Sequence, residues 1–289
     1  MTDRIETRIP GFDEMIGGGL PRRGVTVLAG LPGSARQPLL DNAVWNVLED
    51  GFRVLLLATS TSPYEFLRRS EEYDRRAREA YEKGDLVVLN AFSVRAGIYH
   101  RTVGEIIQDL EPHRIRELVP EYDPDVVVID SIYPMHRGEH EKFLQVISTL
   151  KVAAVRNDLA VLAGCALPES ALRSPNAEVA DVLLETAVHE FRGALVYSLL
   201  PIRTLPPHLP KYRAPVSILD DGTVVVHCDK VLDVKAGEIR DVDEYLNDVL
   251  NMPESMAREV AEDSEVLGEL EEERDDIEKL LEELEEMEG

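Results

Sequence analysis

Apolar residues follow two alternating rhythms along the first 180 or so residues. Short runs rich in Val, Ile and Leu, at Val25 to Ala29, Val54 to Ala58, Leu86 to Leu89, Val126 to Ile129 and Ala160 to Ala163, have the length and branching of buried strands. The segments between them, Pro38 to Leu48, Tyr64 to Tyr81, Val103 to Leu118 and Lys142 to Val155, carry apolar positions at helical spacing. Strands that alternate with helices need crossover connections, so the pattern predicts a mostly parallel sheet covered by helices on both faces. After about residue 180 the rhythm changes. Ala194 to Leu200, Pro215 to Leu219 and Thr223 to His227 read as strands parted by Pro-rich or Asp220-Asp221-Gly222 turns, which predicts an antiparallel flank on that sheet.

From Pro253 the composition shifts to an acidic helix. Leu267, Leu270, Ile277, Leu281 and Leu284 fall on a seven-residue repeat in which Arg274 takes one of the core positions. That is a short seam, and a solvated helix laying its apolar stripe on the body is favoured over pairing with a second helix. The expected organisation is a domain over 1–235, a connecting segment over 236–253 and an acidic helical tail over 254–289. Truncating the tail should shift the melting temperature by only a few degrees, as expected for a loss of about 1 kcal/mol or less. An insoluble product would show that the tail completes the core.

Charge narrows the function. The chain holds 56 acidic and 31 basic residues, a net charge of −25, of which residues 254–289 contribute −14. Such a field repels phosphate backbones, so nucleic-acid binding is not expected. The clustered Arg68, Arg69, Arg75, Arg76 and Arg78 are interleaved with Glu65, Glu71, Glu72, Asp74 and Glu79, which is the pattern of a solvated helix face. No apolar run approaches the roughly 20 residues of a membrane-spanning helix, and Met1 to Pro10 lacks a signal-type apolar region, so no membrane association and a cytoplasmic location are expected. Cys165 and Cys228 sit apart in strand-like surroundings and read as buried thiols.

One segment has the layout of phosphate chemistry. The first strand runs into Gly30-Leu31-Pro32-Gly33-Ser34-Ala35-Arg36-Gln37 and then a helix. A Gly-rich turn at a helix N-terminus cradles phosphate with backbone N–H groups and the helix dipole. The working pattern is G-x-x-x-x-G-K-[ST], with lysine on the phosphates and the hydroxyl on magnesium. Here its last three positions are Ala35, Arg36 and Gln37. Ala35 adds a Cβ where backbone must approach phosphate, Arg36 replaces a compact ammonium by a planar fork, and Gln37 offers a neutral amide to a metal that prefers hard oxygen ligands.

Arg8-Ile9-Pro10-Gly11-Phe12-Asp13-Glu14-Met15-Ile16-Gly17-Gly18-Gly19-Leu20-Pro21 resembles the lead-in segment of KaiC-like RecA-superfamily ATPases, close to I-P-G-L-D-E-L-L-G-G-G-L-P, and the spacing to the loop fits as well. About a dozen consecutive positions agree in kind, and the likeness extends more faintly to about residue 230. The resemblance implies a RecA-type P-loop α/β fold. It also implies a glutamate pair after the second strand to activate water, where this chain has Ser60 and Thr61 before Ser62-Pro63. A hydroxyl cannot take the carboxylate's role as base at pH 7. Asp130, closing Val126 to Ile129, matches the magnesium-holding acid, and Arg203 is what remains of a K-x-R strand that reaches a neighbour's nucleotide.

Losing phosphate, metal and water contacts together removes what phosphoryl transfer depends on. The expectation is a non-hydrolysing regulatory or assembly partner that associates with itself or with an intact KaiC-like ATPase, the acidic tail being a further protein-binding segment. Its alternative is an ATP-binding protein with slow ATPase or kinase activity that uses Arg36. No cofactor is required, and ATP would bind weakly through the degenerate site of Gly30, Gly33, Ser34, Ala35, Arg36, Gln37, Asp130 and Arg203. An Arg36–Asp130 ion pair is expected to plug that site. His136-Arg137-Gly138-Glu139-His140 spells an inverted zinc-peptidase motif, H-x-x-E-H, but Pro134 and Gly138 break the helix that motif needs, so no metal site is expected.

Overall fold

The computed structural model describes residues 4–98, 102–108, 111–166, 180–191, 193–206, 209 and 211–245. The chain separates into two units, Met1–Arg240 and Asp241–Gly289, and the heptad seam lies outside the described residues. In chain order the elements are β1 (Arg4–Ile5), α1 (Phe12–Met15), β2 (Leu20–Pro21), β3 (Val25–Ala29), α2 (Arg36–Glu49), β4 (Val54–Ala58), α3 (Pro63–Glu72) and α4 (Ala77–Lys83). There follow β5 (Leu86–Asn90), α5 (Phe92–Arg95), β6 (Glu105–Ile106), α6 (Pro112–Tyr122), β7 (Val126–Ile129), α7 (Tyr133–His136), α8 (His140–Asn157) and β8 (Ala160–Cys165). The chain then turns to β9 (Val182–Phe191), β10 (Ala194–Arg203), β11 (Ala214–Ile218), β12 (Val224–Val226), β13 (Lys230–Asp233) and β14 (Glu238–Asp241).

Ten strands form one sheet in the order β12-β11-β10-β9-β3-β8-β7-β4-β5-β6. The strands from β9 to β6 in that order are parallel, and β10, β11 and β12 continue antiparallel. The fold is thus the RecA-type mixed α/β sheet with its antiparallel flank. Alternate residues of each central strand feed two separate cores. Leu28, Leu56, Val128 and Leu162 pack with Leu40, Val44 and Trp45 of α2, whereas Val27, Leu57, Ile129 and Val161 pack with Phe143, Ile147 and Leu150 of α8. A strand buried on both faces must be apolar at every position, which is why these runs lack the polar alternation of a half-exposed strand. No helix among the described residues is long and apolar enough to cross a membrane.

The lead-in segment has a structural explanation. Gly17, Gly18 and Gly19 all take φ between +87° and +106°, and a Cβ on Gly19 would stand 2.5 Å from the Ile5 carbonyl oxygen. Arg4 ties this turn down by donating to the carbonyls of Ile16, Gly19 and Leu205.

Three sequence expectations are corrected. The helix expected over Val103 to Leu118 begins only at Pro112, because a residue preceding proline is pushed out of helical conformation and Glu111 is extended. The residues before it supply β6, which pairs with β5. The helix expected over Tyr64 to Tyr81 is two helices, broken where Asp74 adopts φ 53° and Arg75 N–H closes on the Ser70 carbonyl. The whole of β9 escaped the pattern because Glu185 and Thr186 interrupt its buried run. The Asp220-Asp221-Gly222 hairpin forms as expected between β11 and β12, with Gly222 at φ +76°.

Candidate functional site

The chemistry-bearing residues converge at the carboxyl ends of β3, β4 and β7, where ligands bind in open α/β sheets, and beside the first half of β9. The loop from Gly30 to Ala35 joins β3 to α2. Gly30 is there of necessity, since a Cβ would lie 2.1 Å from Thr186 Oγ1 on the adjoining β9. Ser34 is buried and its hydroxyl contacts Thr186 Oγ1 at 2.8 Å. Helix α2 starts from Ala35 without any side-chain cap.

Asp130, 3% exposed, follows β7 directly. Its Oδ1 accepts from the Thr59 N–H at 2.8 Å and the Thr59 hydroxyl at 2.7 Å, and its Oδ2 accepts from the Thr61 N–H at 2.6 Å. The Ser60 N–H lies 3.2 and 3.0 Å from the two oxygens. Three consecutive backbone donors thus fold the turn after β4 around one carboxylate, a charge-assisted arrangement stronger than neutral bonds. Asp130→Asn is expected to cost about 2 kcal/mol, because the new NH2 faces N–H donors instead of accepting from them. Urea unfolding measures this, and a neutral or stabilising outcome would show that the carboxylate does not hold the turn.

A second polar cluster adjoins it. Gln37 donates from Nε2 to Asp41 Oδ1 at 2.8 Å and accepts the Thr61 hydroxyl at 3.4 Å, while Arg69 Nε meets Asp41 Oδ2 at 2.9 Å. Asp41 is buried, and burial raises its pKa even though Arg69 opposes the shift. The space left among Gln37, Asp41, Thr61, Asp130 and the apolar side chains of α2, α3, β4 and β7 is about 10 Å³. That is at the lower limit for a single water.

Arg36 and Asp130 do not form the expected ion pair among the described residues. Arg36 turns back on its own loop and donates from Nη1 to the Gly30 carbonyl at 3.0 Å, and its Nε is buried without a partner. Burial lowers its pKa, while Cys165 and Asp130 act on it through space in the opposite sense. Asp130 has no lone pair to spare for it because the turn at residues 59–61 takes both oxygens. The polar contacts beside Asp130 are instead those of Gln37 with Asp41 and Thr61, and of Asp41 with Arg69.

Of the other singled-out residues, Arg203 ends β10 beside Leu183, which in turn pairs with Val27 of β3. His136 is buried between Tyr133 and Phe143, accepts the Gly138 N–H at Nδ1 and turns Nε2 toward Cys165 Sγ at 3.6 Å. Accepting at Nδ1 leaves the proton on Nε2, and burial lowers the His136 pKa. His140 begins a different helix, and no cluster of three metal-ligating side chains exists among the described residues. Burial pushes the Cys165 thiol up to about 12, and Cys228, expected to be buried, is half-exposed and contacts Glu14. Sequence reasoning missed Asp41, Arg69, Glu185 and Thr186. A charged residue on the apolar face of α2 and two polar residues inside a buried strand were the signals available.

Comparison with known proteins places this arrangement in a family. A family model described as "ATPase: KaiC" matches residues 5–162, which spans β1 to the middle of β8. The chain is 27% identical over 250 residues to a UPF0273 protein of Methanopyrus kandleri, covering 84% of this chain and 99% of that protein. It is 26% identical over 247 residues to a UPF0273 protein of Pyrococcus horikoshii, covering 83% and 99%, and 23% identical over 233 residues to one of Thermotoga maritima, covering 78% and 96%. The match from 5 to 162 takes in the loop, the turn at 59–61 and Asp130, and by it the chain belongs to the KaiC ATPase-domain family.

Proposed function

We propose that this chain is a non-hydrolysing member of its family that acts as a regulatory or assembly partner, associating with copies of itself or with a catalytically intact relative. One observation carries the reading: the acid that would hold magnesium and the side chain in the place of the magnesium-binding hydroxyl both have internal partners. Asp130 is committed to residues 59–61, and Gln37 is committed to Asp41 and Thr61. A magnesium ion held here would have to break these bonds, and Gln37 would offer it a neutral amide in place of a hydroxyl. Ser60 and Thr61, where the family resemblance calls for glutamates, supply no carboxylate base. ATP is not required on this reading, and what binding remains is weak and does not depend on Arg36.

A second reading rests on Arg36, whose buried Nε lacks a partner and whose guanidinium could turn toward a phosphate. Calorimetric titration with ATP, with and without magnesium, separates the two. The proposal expects weak binding indifferent to magnesium and to Arg36→Ala. Micromolar, magnesium-dependent binding that falls in Arg36→Ala would establish a nucleotide-gated protein.

A further inference from the structure

A cleft of about 770 Å³ opens where the segments after β5, β6 and β7 meet the first two turns of α8, and no residue of the loop Gly30–Gln37 lines it. Its volume is that of a small-molecule site. The lining carries five formal charges, Arg95, Arg137 and Lys142 against Glu111 and Glu139. Lys142 Nζ and Glu139 Oε1 pair at 2.7 Å and cancel, and Glu111 is engaged as well. The two arginines differ from these. Arg95 donates from Nη1 to a neutral acceptor, the Thr59 carbonyl at 2.9 Å, and the Arg137 side chain has no partner among the described residues. Arginines on other faces, such as Arg8, Arg23, Arg53 and Arg68, each meet a carboxylate, so two uncompensated ones in a single cleft of this acidic chain call for an anion from outside.

The backbone keeps the two guanidinium groups close. Arg95 is tied through Thr59 to the turn around Asp130, three residues before α7 begins. That helix is a single turn, closed by the Arg137 N–H on the Tyr133 carbonyl at 2.7 Å, so Arg137 stands only about 6 Å along the axis from Tyr133. Tyr133, 43% exposed and fixed edge-on to the His136 ring, and the half-buried Met135 give the cleft an apolar wall. An arginine fork takes two oxygens of a phosphate or carboxylate at once, and two uncompensated cations match a dianion better than a monoanion. A phosphomonoester, with its second pKa at about 6, carries close to two negative charges at pH 7. The field of the distant acids is screened beyond about 10 Å at 0.1 M salt and does not cancel a direct contact.

We propose that this cleft binds a small phosphomonoester with a flat apolar body, the phosphate taken by Arg95 and Arg137 and the body laid against Tyr133 and Met135. The site is separate from the phosphate loop and stands or falls without the reading given to that loop. The test is calorimetric titration of the full chain with phenyl phosphate at fixed ionic strength, beside inorganic phosphate, which has no apolar body, and phenol, which has no charge. Saturable binding is expected for phenyl phosphate, about tenfold weaker binding for inorganic phosphate and none for phenol. Arg137→Gln removes an exposed charge that no internal contact uses, so it should leave the fold intact and weaken phenyl phosphate about tenfold or more. Tyr133→Ala should bring phenyl phosphate down to the affinity of inorganic phosphate. No saturable binding of phenyl phosphate, unchanged affinity in Arg137→Gln, or equal affinities for phenyl and inorganic phosphate in the unmutated chain would overturn the proposal. The second of these would place the anion elsewhere on the chain.

Discussion

Replacing Arg69 by methionine is expected to destabilise the fold by about 3 kcal/mol, the usual cost of stranding one member of a buried ion pair. The Asp41 side chain is 5% exposed and that of Arg69 24%, so solvent cannot take the arginine's place. The lost energy should return with pH in a defined direction. Burial already holds the Asp41 pKa above its ordinary 3.8, and removing Arg69 drives it higher still. A carboxyl raised on folding contributes fully below its unfolded pKa and loses that contribution as pH climbs toward its folded pKa. The gap between Arg69→Met and the unmutated chain should therefore be small near pH 4 and widen toward neutrality in urea unfolding. Adding Asp41→Asn, which keeps an oxygen for Gln37 Nε2, should recover most of the loss and flatten the pH dependence. A gap below about 1 kcal/mol at pH 7 would mean that Asp41 is not held as a buried anion.

That cluster explains the use of Gln37. Threonine at this position cannot reach both Asp41 and Thr61, whereas the glutamine amide donates to one and accepts from the other. Arg36→Lys combined with Gln37→Thr is accordingly expected to leave ATP turnover at background, since Asp130 stays wrapped by residues 59–61 and Ser60 and Thr61 still lack a carboxylate.

What the sequence disclosed follows from which forces are local. The central strands β3, β4, β7 and β8 were legible because burial on both faces demands unbroken apolar runs, and the loop because glycines with fixed spacing mark one backbone path. Helix α6 was misplaced at its start because apolar spacing continues through Val103 to Ile107, and only the backbone restriction at Pro112 decides the boundary. Strand β9 was hidden by Glu185 and Thr186, whose polarity makes sense only beside Arg213 and Ser34, at separations of 28 and 152 residues. The expected Arg36–Asp130 plug failed for a similar reason. Strand ends that lie near one another suggested a pair, but the backbone N–H groups of Thr59, Ser60 and Thr61 compete for the same oxygens and no side-chain pattern reveals them.

The central claim is that the phosphate-loop end of this sheet no longer performs phosphoryl transfer. Its most direct measurement is ATP turnover by the purified full chain with magnesium, run beside Asp130→Asn from the same preparation. The account predicts background turnover in both, with Asp130→Asn differing only in stability. Turnover in the unmutated chain that disappears in a folded Asp130→Asn variant would contradict it, because the carboxylate would then be serving a metal and not the turn at residues 59–61.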